Sequence, residues 1–331
     1  MIRFGVIGTN WITDEFIRCA KITKNFKLNA VYSRTKEKAV KFAEKYSVEG
    51  IFTDLESMAK SDSIDAVYIA SPNSCHAYQA KLFLEKKKHV LCEKPICSNL
   101  LELEQMIKAA KENKVLLMEA MKSSFLPNFK TIKENLYKIG KIRRYFANYC
   151  QYSSRYDRYK SGKNPNTFNP EFSNGSLMDI GVYCIHPLIH LFGKPNSICA
   201  RGVILESGVD GEGSLILTYD DMDAIIIHSK IANSALPSEI QGEEGNIIID
   251  KIHTPESIKI LYKNGEEEDI TVPQSKDNMY YEAKEFIDLI KAGKTESSVN
   301  SYTISRSAME VLEKARKQMG VIYPADKWNN K

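Results

Sequence analysis

The triplet Glu93-Lys94-Pro95 follows an apolar run, His89-Val90-Leu91-Cys92, that reads as a buried strand. Proline fixes its own φ and restricts the residue before it, which predicts an extended Lys94 at the strand end. In open α/β sheets, ligands bind outside the carboxyl ends of the strands, so a lysine at that place can handle a proton. The same triplet would also serve as a surface ion pair beyond an edge strand, and alone it does not separate the two. A second group lies in the other half of the chain. Gly175 to His186 opens a helix reaching Phe192, on which Asp179, Tyr183, His186 and His190 fall at i, i+4, i+7 and i+11. That spacing predicts a polar stripe on a helix otherwise built from Ile180, Val182, Ile185, Leu188, Ile189 and Leu191. The stripe needs partners, either a ligand or core hydrogen bonds. No metal is expected, because His186 and His190 have no acidic third ligand placed by any pattern.

The elements that must position these groups alternate from the start. Ile2 to Ile7 is a compact apolar run, as in a strand buried on both faces. Gly8-Thr9-Asn10-Trp11-Ile12-Thr13 follows, then a helical stretch to about Lys24. Strand, glycine turn and helix open a dinucleotide-binding unit, in which Gly8, Thr9, Asn10, Trp11 and Ile12 would face a pyrophosphate. Against G-x-G-x-x-G only Gly8 is present; Asn10 and Thr13 take the other places, and asparagine tolerates left-handed backbone. Lys27 to Tyr32 reads as a second strand ending at Ser33-Arg34. An acidic residue at this strand end binds the ribose 2′-OH of NAD. A hydroxyl and a guanidinium suit a 2′-phosphate instead, so NADP(H) is expected over NAD(H), unless Arg34 merely caps a surface turn.

Asp65 to Ala70 is a further strand, with a shorter one near Ile51-Phe52. It ends at Ser71-Pro72-Asn73, with His76 following at the start of a helix and facing the same crevice, so these four, with Glu93 and Lys94, are candidate cofactor-binding residues. Asn99 to Asn113 carries Leu100, Leu103, Met106, Ile107 and Ala110 on one helical face, and Val115 to Met118 is another strand ending at Glu119. This alternation predicts a doubly wound parallel sheet in a domain spanning 1–122.

Residues 123–331 form the expected second domain. A helix near Asn128 to Tyr137 and a strand from Lys141 to Gln151 precede an irregular stretch, Tyr152 to Phe172. So long a loop is commonly functional, and its Arg155 and Tyr156 are candidate substrate-binding residues. Strand-like runs from Val203 to Val272, separated by turn signals Asp210-Gly211, Asp220-Asp221 and Asn264-Gly265, predict an antiparallel sheet. The run Ala224 to His228 is too apolar for free exposure, which predicts a homodimer or homotetramer through this sheet. Two helices, about Met279 to Lys291 and Ser301 to Met319, close the chain.

The net charge of +4 comes with no basic block, which gives no reason to expect nucleic acid. No apolar run suggests a membrane span. The opening Met1-Ile2-Arg3-Phe4-Gly5 has none of the regions of a signal peptide. The seven cysteines are scattered without a C-x-x-C pair, which argues against a disulfide framework. A cytoplasmic location is expected.

Gly8 after its strand, Ser71-Pro72-Asn73 with His76, and Glu93-Lys94-Pro95 resemble the glucose–fructose oxidoreductase / inositol dehydrogenase / MocA (Gfo/Idh/MocA) family. These are NAD(P)-dependent oxidoreductases acting mostly on sugars and polyols. The resemblance runs through the whole chain, to Gly320-Val321-Ile322-Tyr323-Pro324. It implies an α/β protein: an N-terminal Rossmann domain and a C-terminal α+β domain with a large, mainly antiparallel sheet. The family's substrate helix reads Asp-x-Gly-x-His-x-x-Asp. Asp179 and Gly181 match it; Tyr183 stands in place of the histidine and His186 in place of the last aspartate. The tyrosine version resembles the branch of dimeric dihydrodiol dehydrogenase and an NADP-dependent xylose dehydrogenase, where the tyrosine is proposed as acid/base beside the lysine. By this resemblance Lys94 and Tyr183 are catalytic, Asp179 and His186 bind neighbouring hydroxyls, and Glu93 orients Lys94 or sits near the nicotinamide.

The implied reaction is hydride transfer between a nicotinamide and a hydroxyl-bearing carbon of a sugar, polyol or related diol. The hydroxyl proton needs a base, and tyrosine, with a pKa of about 10, is a poor one at pH 7. A lysine ammonium nearby favours the phenolate, so Tyr183 and Lys94 form a coherent relay, and the roles can be exchanged. Two other readings compete: an NAD-dependent glycosidase of the same fold, and a non-catalytic nucleotide-binding sensor.

Overall fold

In the computed structural model, which describes residues 1–330, the first sheet is laid down by a strictly alternating segment. It runs β1 (Ile2–Ile7), α1 (Trp11–Ile22), β2 (Phe26–Tyr32), α2 (Lys36–Tyr46), β3 (Gly50–Phe52), α3 (Leu55–Lys60), β4 (Ala66–Ile69), α4 (Asn73–Glu85), β5 (His89–Glu93), α5 (Leu100–Asn113) and β6 (Leu117–Ala120). The six strands are parallel in the order β3-β2-β1-β4-β5-β6, so the winding reverses between β1 and β4. Val6, Ile7, Val67, Ile69, Val90 and Leu91 are fully buried, as strands covered on both faces must be. Each contributes roughly 1.5–3 kcal/mol by leaving water. Phe16 of α1 stacks on Tyr68 of β4 at 3.8 Å, and Phe4 packs between Phe16 and Phe26. Asn99 caps α5 by accepting from the Glu102 backbone N–H at 2.9 Å, which fixes where that helix starts.

Residues 275–302 also belong to this unit, although they fall within the expected second domain of 123–331. The reason is packing. The helix Met279–Lys291 lies against α1, and its Phe286 reaches Phe4 at 5.9 Å. The second unit comprises 123–274 and 303–331.

The second unit contains α6 (Pro127–Asn135), β7 (Ile142–Cys150), α7 (Tyr156–Lys160), α8 (Val182–Phe192), β8 (Ser197–Ile204), β9 (Asp210–Thr218), β10 (Asp223–Ser229), β11 (Ser238–Gly242), β12 (Gly245–Ile249), β13 (Ile258–Tyr262) and β14 (Glu267–Asp269). After α9, the Met279–Lys291 helix already placed in the first unit, the chain returns through α10 (Tyr302–Gln318). The eight strands are ordered β14-β13-β12-β11-β7-β10-β9-β8, and every neighbouring pair is antiparallel except β7 with β10. α8 covers one face, where the Tyr145 hydroxyl donates to the Cys184 carbonyl at 2.9 Å.

Three local expectations change. Asp210-Gly211 is not a turn but the start of β9, because the Asp210 carboxylate is consumed by the backbone of another segment. The stretch from Tyr152 to Phe172 is not irregular throughout. It holds α7 and two 3₁₀ turns, pinned by Tyr156, Tyr159 and Phe168 rings within 6.0 Å of one another. Pro170–Phe192 is long and apolar enough to cross a membrane by length and composition, contrary to the expectation of no such run. Yet 72% of its apolar window is buried inside the structure.

Candidate active site

At the switch point, Gly8 has φ +104°, and a Cβ there would stand 2.5 Å from the Ala70 carbonyl oxygen. Only glycine fits that turn, and the space it leaves is a cradle suited to a dinucleotide phosphate. Asn10 does not adopt the left-handed backbone its place in the fingerprint suggested. It is extended, with φ −108° and ψ 176°, and acts as the N-cap of α1. Its Oδ1 accepts from the Ile12 and Thr13 N–H groups at 3.2 Å, and its Nδ2 donates to the Ala70 carbonyl at 3.0 Å. One side chain therefore supplies the helix cap and ties the β1 turn to the end of β4. Trp11 opens the helix with 69% of its surface exposed. At the end of β2, Ser33 is buried and donates its N–H to the Phe52 carbonyl at 3.2 Å, while Arg34 is exposed. Burial pushes the Tyr32 phenol up, and the Arg34 charge opposes that shift.

The β4 and β5 ends are braced as one piece. His76 is buried, with Nε2 at 2.9 Å from the Ser71 carbonyl and Nδ1 at 3.0 Å from the Pro95 carbonyl. Burial lowers its pKa, outweighing the two carbonyls that favour the charged ring. Expected among the cofactor-binding residues, His76 instead has both ring nitrogens occupied by backbone, so it aligns the Ser71-Pro72-Asn73 turn with the Glu93-Lys94-Pro95 turn. Ser71 Oγ donates to Gln79 at 2.7 Å. The Ile96 N–H donates to Glu119 Oε1 at 3.1 Å, and the Lys94–Pro95 peptide is cis. Glu93 accepts from the Tyr68 hydroxyl at 2.6 Å and from the Lys94 backbone N–H at 3.2 Å. It therefore orients the Lys94 backbone, while burial raises its own pKa against the pull of Tyr68 and Lys94.

In the second unit, the stretch Leu177–Gly181 is a π-turn that runs into α8. Such insertions are frequent at functional sites. Its geometry follows from a buried brace. Asp210 Oδ2 accepts from the Leu177 N–H at 2.6 Å, and Ser176 Oγ lies 2.9 Å from His228 Nδ1. His228 has glycines on both sides: a Cβ at Gly181 or at Gly213 would come within 3.2 Å or 2.7 Å of its ring. Ser176, His228 and Asp210 have the residue types of a hydrolytic triad. They are all buried, and the serine and aspartate both face the same ring nitrogen, so they hold structure. Pro187 inside α8 has no N–H to give the Tyr183 carbonyl.

Asp179 pairs with Lys230, the residue after β10. Tyr183 meets Tyr149 edge-on at 5.8 Å and His253 at 6.2 Å, while Tyr149 and His253 stack at 4.1 Å and 6°. His186, expected to face a substrate, is 1% exposed, on a helix whose Ile185, Pro187, Leu188 and Ile189 are buried with it. His190 stands edge-on to Phe129 at 5.7 Å. Of the loop candidates, Arg155 donates to Thr167 Oγ1 at 2.9 Å, and Tyr156 packs on Phe168 under Lys160. Sequence reasoning missed Lys230, Tyr149 and His253. Lys230 follows an isoleucine-rich strand and His253 precedes Thr254-Pro255, neither of which is a recognisable signal. Among the described residues, no group of three His, Cys, Asp or Glu side chains is placed to hold a metal.

A parallel sheet with a glycine cradle at its switch point and a lysine at a neighbouring strand end defines a dinucleotide-binding oxidoreductase. Residues 2–121 match the GFO/IDH/MocA oxidoreductase family with its NAD-binding Rossmann fold, and residues 132–248 match the GFO/IDH/MocA C-terminal domain. The chain belongs to that family. It is 57% identical to scyllo-inositol 2-dehydrogenase (NADP(+)) IolU of Bacillus subtilis over 98% of this chain and 99% of that one. It is 30% identical to a trans-1,2-dihydrobenzene-1,2-diol dehydrogenase of Danio rerio, again over 98% and 99%. The fold is shared with a 3-ketoreductase from Actinomadura kijaniata solved with NADP and TDP-benzene, with a TM-score of 0.84, 23% identity and coverage of 97% and 99%.

Proposed function

We propose that this protein is an NADP-dependent dehydrogenase of a cyclic polyol, with an inositol as the leading substrate. The observation that carries this reading is the 57% identity, along nearly the whole chain, to an NADP(+)-linked scyllo-inositol 2-dehydrogenase. The Gly8 cradle, the exposed Arg34 after β2 and the braced Lys94 at the end of β5 support it. Gly8 and Arg34 would hold NADP+, which would supply the hydride acceptor for oxidation of a carbinol to a ketone. The released hydroxyl proton goes to Tyr183, with the Lys94 ammonium favouring the phenolate and binding the same oxygen. Asp179, held by Lys230, accepts from a neighbouring hydroxyl. Arg155 and Tyr156 border the polyol.

We also read the protein as cytoplasmic, in keeping with seven free cysteines, and as a homodimer or homotetramer. The outer face of the second sheet supports the latter: Ile216 is 50% exposed, beside half-buried Ile225 and Ile227. Quenching of Trp11 fluorescence by NADPH and NADH, followed by a polyol screen, tests the reading. Tight NADPH, weak NADH and NADPH formation with an inositol are expected. Tighter NADH, or no turnover of any cyclic polyol, would overturn it.

A further inference from the structure

Glu282 of α9 is fully buried, and among the described residues neither of its carboxyl oxygens has a hydrogen-bond partner. A carboxylate without donors is expensive to bury, so such a group is kept neutral or kept for a purpose. Of the charged groups, Glu93 disfavours ionisation of Glu282 and Lys122 eases it. Glu93 has the donors that Glu282 lacks, from Tyr68 at 2.6 Å and the Lys94 N–H at 3.2 Å. The other titratable groups of α1, which packs on α9, are engaged elsewhere. Glu15, Arg18 and Cys19 bond to one another, Arg18 also bonds Asp277, Asp14 holds Tyr46 and Lys45, and Lys21 lies over the Tyr46 ring. Phe286, one turn along α9, meets Phe4, whose neighbour Phe16 stacks on Tyr68, the donor to Glu93; Glu93 and Lys122 are the charged groups that act on Glu282.

We propose that Glu282 is a positioning residue for Lys94: with Glu93 it forms a buried carboxyl pair that holds one proton and sets the single negative charge the lysine faces. Burial pushes both carboxyls up, Glu282 well above the usual carboxylate range, and mutual repulsion makes them titrate as a pair. Glu93, with its donors, carries the charge; Glu282 carries the proton. The effect on turnover rests on Lys94 being the proton-handling lysine. The shared proton does not.

Infrared spectroscopy of the cofactor-free protein at neutral pH tests the pair directly. Beside the band of Asp210, whose carboxyl is raised to about 7, the wild type should show a second protonated-carboxyl C=O band that is lost in both Glu282→Gln and the similarly sized Glu282→Met, which guards against misfolding of either one. For NADP-linked polyol oxidation, Glu282→Gln should move the alkaline limb of kcat/KM to lower pH, with rates there about tenfold below wild type and KM for the polyol unchanged. That sign follows because the wild-type pair gains a second negative charge at high pH, and glutamine cannot. A band equal in wild type and variants would overturn the shared proton. A lost band with an unmoved pH profile would overturn the positioning role. A lost band in a protein that oxidises no polyol would leave the carboxyl pair standing and refute the proposed function.

Discussion

Lys230, immediately after β10, closes an ion pair on Asp179 in the π-turn that leads into α8. The lysine side chain is 10% exposed and the aspartate 30%, so solvent screens the pair only in part. Removing the lysine leaves a half-buried carboxylate without its counter-charge. Lys230→Met is expected to lower stability by about 1–3 kcal/mol, discounted from the fully buried case for the exposure of Asp179. It should reduce kcat/KM for the polyol about 10- to 100-fold. Thermal unfolding and steady-state kinetics check both, and unchanged kinetics would separate Asp179 from substrate binding.

Arg34 stands exposed beyond β2, where an acidic residue would select NAD. A charge-assisted contact to a 2′-phosphate contributes about 1.5–3 kcal/mol, or about 10- to 100-fold in Kd. Arg34→Ala should weaken NADPH by that factor and leave NADH within about twofold, as measured by fluorescence titration. An equal loss for both cofactors would show that Arg34 does not read the phosphate.

Asp210 makes stability depend on pH. Burial raises its carboxyl to about 7, against the pull of the Leu177 N–H. The folded state then holds a proton that the unfolded chain has lost above about 4. Its contribution is full below that value, is lost as pH rises toward 7, and is of the order of 4 kcal/mol at most. Asp210→Asn keeps an acceptor for the Leu177 N–H and has no charge to bury. Its Tm relative to wild type should therefore rise between pH 5 and pH 8. A pH-independent difference would refute the assignment.

The proposed oligomer predicts that Ile216→Lys, on the outer face of the second sheet, shifts sedimentation toward the monomer with far-ultraviolet circular dichroism unchanged. If the wild type already sediments as a monomer, the apolar strip has another purpose.

Much of the frame was readable because it rests on local patterns. Ile2 to Ile7 and Val90 to Cys92 are apolar on both faces, and Asn99 before a periodic run announces α5. Glu93-Lys94-Pro95 was readable as a unit because proline and charge interrupt a strand. The remainder depends on contacts between distant parts of the chain. Asp210-Gly211 has the composition of a turn, and only the Leu177 N–H it meets makes it the start of a strand. Asn10 looked like a glycine substitute and is a helix cap. His186 fits a helical stripe, but helical spacing does not say which face is covered, and it is buried. Lys230 meets Asp179 and His253 meets Tyr183 through folding alone, with no neighbour in sequence to mark them.

The proposed proton relay through Lys94 and Tyr183 is tested by kcat for NADP-linked oxidation of an inositol in Lys94→Ala and Tyr183→Phe. General acid–base groups contribute about 10²- to 10⁴-fold, so each variant should lose at least about 100-fold while still binding NADPH. If both retain near-normal kcat, the relay is refuted.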